Sequence, residues 1–418
     1  MRRHDFGPSA TATEIRALTP DARSVEEGVR AIVAEVRVGG DTALRELTTR
    51  IDGAVVAHGK LRVEPAVLSA AAASLDPAVV DGLRTAIANV RAVATAQLRE
   101  RIAVELPEGQ VVDVEELAVR RAGIYAPAGR AAYPSSVVMA AATAAAAGVE
   151  QVAVCAGPGP DGEIHPAILA ACQLCGVDEV YRAGGAQAIA ALAYGTETIV
   201  PVDVIAGPGG PWVQEAKRQV VGTVGIDGIA GPSELVVVSD GDAEPELLAL
   251  DLLAQSEHGL DSLLVAVSQD AGLLDAIDVA VQRMAAERPS SQDAPLAVVR
   301  TETIEEAVRL ADEIAPEHLQ LVGPRAEALA EDVRAAGCVF VGASGATAFG
   351  DYVAGSNHIL PTGGAARFQS AVSPATFRRR MARVSFPSGA AARLAAQGAP
   401  VARAEGFPVH AESMERRA

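Results

Sequence analysis

From residue 123 onward the chain alternates short apolar runs with helical patterns, and this rhythm constrains the fold more than any other feature. Gly123-Ile-Tyr-Ala-Pro leads into a helix opened by Ser135 and Ser136. Gln151-Val-Ala-Val-Cys precedes the helical pattern of residues 166–175, and Glu179-Val-Tyr-Arg precedes that of 186–193. Val202-Asp-Val-Ile-Ala runs into Gly207-Pro-Gly-Gly. A second series sets strands at 234–238, 263–267, 296–299 and 338–341, separated by helices such as 244–255 and 304–314. Repeated βα units predict parallel, doubly wound sheets, because a strand can return parallel to its neighbour only through a crossover. The expected fold class is therefore α/β, with two tandem Rossmann-like parallel-sheet domains, an N-terminal helical segment and a small C-terminal helical tail.

The segment before this series is helical in pattern. Ser24 and Glu27 are spaced like a capping box, and Val29, Ile32, Val33 and Val36 recur at helical spacing. Expected boundaries are 1–115 for this segment, partly packed on the second domain, 116–230 and 231–365 for the α/β domains, and 366–418 for the tail. At 418 residues the chain can bury more than one core, and with half its residues apolar but only 3% aromatic, alanine, valine and leucine must fill it. A net charge of -18 argues against nucleic acid or an anionic membrane as partner. The N-terminus lacks the apolar run of a secretory signal, and the alanine-rich stretch 137–149 is too short to span a bilayer; a cytoplasmic location is expected. Cys172 and Cys175 form a C-x-x-C with no second pair to complete a zinc ribbon, and fall on one face of a helix, where burial is the simpler reading.

Neither α/β series carries G-x-G-x-x-G or a Walker A loop. The nearest glycine-rich βα turns are Gly184-Gly185 and Gly207 to Gly210, places where backbone N–H groups and a helix N-terminus can meet a pyrophosphate, and where tight turns also simply need glycine. Four of seven histidines lie after residue 250, each beside other ligand types: Gln255 and His258, Glu317 and His318, Asp351 and His358, and His410. Gln255 and His258, three apart at a helix end, can face one side. Imidazole, carboxylate and amide oxygen together suit zinc and also manganese or cobalt. Glu317-His318 reads as a pair at a helix end, with His318 suited to general-base work.

Taken together, Ala-Gly-Pro-Ser-Glu-Leu-Val from residue 230, Asp-Leu-Leu-Ala-Gln-Ser-Glu-His-Gly from 251, Ala-Pro-Glu-His-Leu from 315 and Gly-Asp-Tyr-Val-Ala-Gly-Ser-Asn-His-Ile-Leu-Pro-Thr-Gly-Gly from 350 closely resemble the histidinol dehydrogenases. So do Gly-Gly-Ala-Gln-Ala-Ile-Ala-Ala-Leu-Ala-Tyr-Gly from 184 and Glu-Ala-Lys-Arg-Gln-Val from 215. The resemblance runs in order over nearly the whole chain. It implies a zinc enzyme that oxidises L-histidinol to L-histidine through L-histidinaldehyde with two NAD+, in histidine biosynthesis, as a homodimer with shared active sites. It further implies Gln255, His258, Asp351 and His410 as zinc ligands, with His410 from the partner's tail. Ser233, His358 and Glu405 join those ligands and His318 as substrate contacts. Glu317 and His318 become the acid/base residues, and Tyr125 and Gln187 the NAD contacts. Gly210 departs from the family pattern, which has asparagine there. Two alternatives are a related NAD- and zinc-dependent dehydrogenase of another small alcohol, such as a sulfonated diol, and a non-catalytic paralogue.

Overall fold

The computed structural model describes residues 1–19, 24–129, 131–241, 243–387 and 389–418. The N-terminal segment is less uniformly helical than its pattern predicts. It opens with strand β1 (Arg2–Phe6), followed by α1 (Ala12–Arg16), α2 (Glu26–Leu47), α3 (Pro65–Ser74) and α4 (Pro77–Ala96), and closes with β2 (Ile102–Glu105). The capping box lies at Thr11 and Glu14 of α1; α2 is instead capped by Val25 without a side-chain bond. The apolar stripe of α2 does bury, with Val29 and Val36 fully enclosed.

Strand β3 (Val111–Ala118) leads to the first α/β series: β4 (Arg121–Ala126), α5 (Pro134–Ala146), β5 (Gln151–Ala156), α6 (Pro166–Cys175), β6 (Glu179–Arg182), α7 (Gly185–Tyr194), β7 (Val204–Ala206), α8 (Pro211–Val220) and β8 (Gly225–Ile226). All five strands from β4 are parallel, in the order β6-β5-β4-β7-β8. Every residue of β4 is buried, as expected of a strand covered on both faces. Helices α2, α7 and α8 cover one side, and α3 to α6 pack together on the other. The C-x-x-C sits inside this second layer. Cys172 and Cys175 are free thiols, and burial pushes Cys175 up to about 12 and Cys172 higher still.

The second series comprises β9 (Glu234–Ser239), α9 (Pro245–Ser256), β10 (Leu263–Ser268), α10 (Ala271–Ala285), β11 (Pro295–Arg300), α11 (Ile304–Ile314), β12 (His318–Val322), α12 (Pro324–Ala328), β13 (Cys338–Val341) and α13 (Thr347–Tyr352). Its six parallel strands run β1-β11-β10-β9-β12-β13. The N-terminal strand β1 thus pairs beside β11, a long-range contact that five residues of sequence cannot announce. The tail contributes β14 (Arg378–Ser385), then α14 (Ala390–Ala404) and α15 (Pro408–Glu415). It is not wholly helical: β14 pairs antiparallel with β3, which pairs with β2, in a separate three-stranded ribbon. Among the described residues no single helix is long and apolar enough to cross a membrane.

Each parallel sheet reverses strand order at its first strand, β4 or β9, and in open α/β sheets the crevice for ligands opens at such a switch point, beyond the strands' carboxyl ends. In the first sheet this crevice is built from glycine. Gly207 has φ 131°, and a Cβ there would lie 2.1 Å from the Tyr125 carbonyl oxygen, so no other residue fits. Its peptide groups are held by a buried ion pair: the Lys217 ammonium donates to the Gly207 carbonyl and to Asp227 at 2.6 Å, and Asp227 accepts the Gly207 N–H at 2.8 Å. Removing one partner of such a pair leaves an uncompensated buried charge. Lys217→Met is therefore expected to destabilise the protein by about 3–5 kcal/mol, and pairing it with Asp227→Asn should recover much of that loss. Urea unfolding of the two variants checks this; equal stability of both would refute it.

Candidate active site

Helix α11 ends at Ile314, where Ala315 adopts a left-handed conformation (φ 50°, ψ 60°) and Pro316 follows. Proline disfavours helix in the residue before it, so the chain leaves the helix and, three residues on, starts β12 at His318. Glu317 and His318 therefore do not end a helix, as their sequence suggests. They open a central strand, between β9 and β13.

That register sets Glu317 and His318 against Glu234, the first residue of β9. The Glu234 N–H donates to Glu317 Oε2 at 2.9 Å, and the Glu317 N–H donates back to Glu234 Oε2 at 3.3 Å. His318 Nδ1 lies 3.2 Å from the Glu234 carbonyl oxygen and 3.5 Å from Glu317 Oε2. A carbonyl oxygen can only accept, so Nδ1 carries the proton and the lone pair of neutral His318 sits on Nε2. Nε2 faces Asp351 Oδ1 at 3.8 Å.

Both groups are buried, at 7% and 2% exposure, and their titration is coupled. Burial opposes the charged form of His318, but the Glu317 carboxylate, its hydrogen bond and Asp351 together outweigh this and raise the imidazole to about 9. Burial likewise opposes ionisation of Glu317, and the His318 charge and bond, with the Glu234 N–H, hold its pKa below the usual value.

Asp351 lies in α13, which packs on α9 and so approaches the turn bearing Gln255 and His258. His358 Nδ1 donates to the Asp351 carbonyl at 2.8 Å, and by the same rule its Nε2 accepts from the Ser136 hydroxyl at 3.2 Å. Desolvation lowers the His358 pKa, in keeping with a neutral ring held on both nitrogens. His258 is close enough to bias both Glu317 and His358 electrostatically. Gln255 is 2% exposed, and the Nε2 end of its amide has no hydrogen-bond partner. Turning the amide over puts its oxygen in that place, an acceptor waiting for a donor or a cation. Ser233 immediately precedes Glu234, half-buried. Glu317, His318, Asp351, His358, His258, Gln255 and Ser233 thus gather around the amino edge of the second sheet. Among the described residues, no group of three or more His, Cys, Asp or Glu that could hold a metal ion lies within the chain.

The remaining predicted residues lie in two other places. Tyr125, in β4, is buried; its hydroxyl accepts the Gly185 N–H at 3.1 Å, and burial raises its pKa to about 12. Gln187, in α7, donates to Asp52 at 2.9 Å and leaves its buried Oε1 without a partner. Both sit at the carboxyl edge of the first sheet, beside the glycine turns. Gly210 caps α8 with open space around its Cβ position. Glu405 and His410 are exposed on the α14–α15 hairpin, whose small core of Ala399, Ala402 and Ala411 is its own. The structure does not bring these two to Glu317 and His318 of the same chain.

Three participants escape a sequence reading. Asp52, from the π turn after α2, anchors Gln187. Ser136 fixes His358 across 222 residues, and Glu234 organises the Glu317–His318 pair. Only Glu234 left a trace, as a carboxylate opening an otherwise apolar strand.

The fold is an α/β architecture built on two parallel sheets, and the proteins it resembles are oxidoreductases. The family model described as histidinol dehydrogenase matches residues 16–418, and the chain belongs to that family. It is 41% identical over 412 residues to the histidinol dehydrogenase of Gluconobacter oxydans, covering 97% of this chain and 96% of that one. It is 42% identical over 398 residues to that of Synechococcus, covering 94% and 92%. The crystal structure of histidinol dehydrogenase from Elizabethkingia anophelis superposes with a TM-score of 0.92 at 30% identity, covering 100% of this chain and 98% of that one.

In chelated protein, the His318 imidazole should titrate near 9 and not near 6.5. Because the folded pKa is the higher one, the stability it confers is complete below about pH 6.5 and is lost as pH rises through 9. His318→Asn should flatten the stability profile across that window; imidazole proton shifts and melting temperatures measure both effects, and an unchanged profile would contradict the assignment.

Proposed function

We propose that this protein is a histidinol dehydrogenase in the full sense: a zinc-dependent, NAD-dependent enzyme that takes L-histidinol through L-histidinaldehyde to L-histidine, in the cytoplasm. The observation that carries the reading is the Glu317–His318 pair, in which His318 holds Nδ1 against the Glu234 carbonyl and turns Nε2 towards Asp351, with a second base beside it. Oxidation of a primary alcohol to a carboxylate needs two such groups. In the first step His318 Nε2 takes the hydroxyl proton as hydride leaves the carbinol carbon. The aldehyde must then add water before a second hydride can depart, and Glu317, anchored through Oε2, has its other oxygen to accept that water's proton. His358 and Ser233 flank the substrate. Fixed imidazole and carboxylate positions hold the aldehyde between steps and shield it from side reactions.

The residues present fit a divalent cation: an imidazole, a carboxylate and a buried amide end without a partner. Such a cation held by Gln255, His258 and Asp351 would fix the substrate's imidazole and amino nitrogens and, by neutralising Asp351, relieve His318 of one anion that raises its pKa. NAD+ as hydride acceptor suits the crevice at Tyr125, Gln187 and the glycine turns, where a helix N-terminus meets open space at Gly210. An incomplete ligand set within one chain, and a hairpin presenting His410 and Glu405 beside exposed Val401, Phe407 and Val409, support a homodimer in which each tail completes the partner's site. The domain boundaries proposed from the sequence, 116–230 and 231–365, place the hydride acceptor on the first α/β unit and the substrate on the second.

Limiting L-histidinol added to zinc-loaded protein should yield two NADH per substrate, and none after chelation. One NADH would mean that the aldehyde step fails, and a sulfonated diol outperforming histidinol would favour a related dehydrogenase. For the shared site, mixing His318→Ala subunits with His410→Ala subunits should restore about one competent site per mixed dimer; absence of recovery would dismiss it.

A further inference from the structure

The Glu234 side chain is 3% exposed and meets only donors. Arg16 Nη1 reaches its Oε1 at 2.8 Å, Arg16 Nη2 its Oε2 at 3.3 Å, the Gly363 N–H its Oε1 at 2.9 Å, and the Glu317 N–H its Oε2. The same guanidinium donates through Nε to the Ile314 carbonyl at 2.8 Å and through Nη2 to that of Ala315 at 3.2 Å. Those carbonyls belong to the left-handed turn that delivers Glu317 to the strand. A left-handed alanine is strained, so something must hold it. From the other side, Gly363 belongs to the loop that follows Leu360, and the neighbouring Thr362 hydroxyl receives the Gly231 N–H from the segment leading into β9. One carboxylate therefore ties together α1, the turn after α11, the first residue of β9 and the 360–364 loop.

We propose that Glu234 is a positioning residue: with Arg16 it fixes the backbone of Glu317, and through its own peptide group it fixes Glu317 Oε2 and His318 Nδ1. The proposal rests on the reading of Glu317 and His318 as the reacting pair. Glu234 touches no reacting atom. It determines where Glu317 points, because both ends of Glu317, its N–H and its carboxylate, are bonded to Glu234. An amide at this position cannot serve all four donors. Whichever way a glutamine turns, its NH2 group meets either the Glu317 N–H or the Gly363 N–H, and one of them loses its acceptor.

The test is a double-mutant cycle of Glu234→Gln with Glu317→Gln, using supplied histidinaldehyde to isolate the second oxidation. Glu234→Gln alone is expected to lower kcat roughly 10- to 100-fold, the scale of an ångström's misplacement of a catalytic group, with KM for NAD unchanged. In the Glu317→Gln background the same change should cost less than about threefold, since the group being aimed is gone. A structural role would lower activity by the same factor in both backgrounds, and that result overturns the proposal. Amide hydrogen exchange gives a readout independent of turnover: Glu234→Ala removes both acceptor oxygens, so the Glu317 N–H should lose protection in it, and unchanged protection also overturns the proposal. If Glu234→Gln does not fold, Arg16→Lys, which keeps the charge but breaks the fork, goes through the same cycle with a smaller loss expected and additivity again decisive. If the wild-type protein forms no NADH from histidinaldehyde, the functional reading fails, and exchange at Glu317 still shows whether Glu234 holds it.

Discussion

Two carboxylates, one opening β9 and one immediately before β12 beside it, bond each other through backbone and side chain, and the rest of the site depends on that exchange. Glu234 and Glu317 are 83 residues apart, and each gives its N–H to the other's carboxylate. Two buried carboxylates side by side would repel without counter-charges, so the arrangement requires Arg16 against one and His318 against the other. The need for Arg16 explains why a short N-terminal helix packs against α11, and why β1 ahead of it adds to the far edge of the same sheet. The Glu234 carbonyl keeps the proton on His318 Nδ1, so Nε2 is the nitrogen that can give one up or take one.

The site occupies an unexpected edge. Doubly wound sheets bind ligands beyond the carboxyl ends of their strands, and the first sheet follows this rule with Tyr125, Gly207 and the N-terminus of α8. In the second sheet the charged groups sit at the amino ends of β9 and β12 instead. The segment between the sheets reconciles the two. The Gln214 amide in α8 donates to the Gly209 carbonyl at 3.0 Å and accepts the Ala230 N–H at 2.9 Å, so the glycine loop of one sheet is stapled to the strand entry of the other. The carboxyl edge of the first sheet is thereby linked to the amino edge of the second.

Much of this was legible in residue order. Runs such as 263–267 and 304–314 match their elements because a doubly buried strand must be continuously apolar and a half-buried helix must repeat at helical spacing. The left-handed Ala315 defeated the same logic at Glu317-His318, since a five-residue strand behind a helix and a proline has no period of its own. Strands β1, β2, β3 and β14 were missed for a related reason: their partners are distant in sequence, and pairing with them, more than local propensity, is what makes them strands. Of the site, the histidines and Asp351 stood out by residue type. Asp52, Ser136 and Glu234 did not, because a lone acid or serine is unremarkable until its partner is known.

Residue order by itself determined the class of fold, through alternating strand and helix periods, and the identities of the groups able to do chemistry, since only imidazoles, carboxylates and a buried amide can fill such roles. The tertiary structure alone decided how they are arranged: which histidine nitrogen keeps its proton, which carboxylate is anchored, and which groups lie together. Those properties depend on contacts spanning from 83 to more than 200 residues, such as Glu234 with Glu317 and Ser136 with His358, and no local pattern encodes a hydrogen bond whose two ends meet only after the chain has folded.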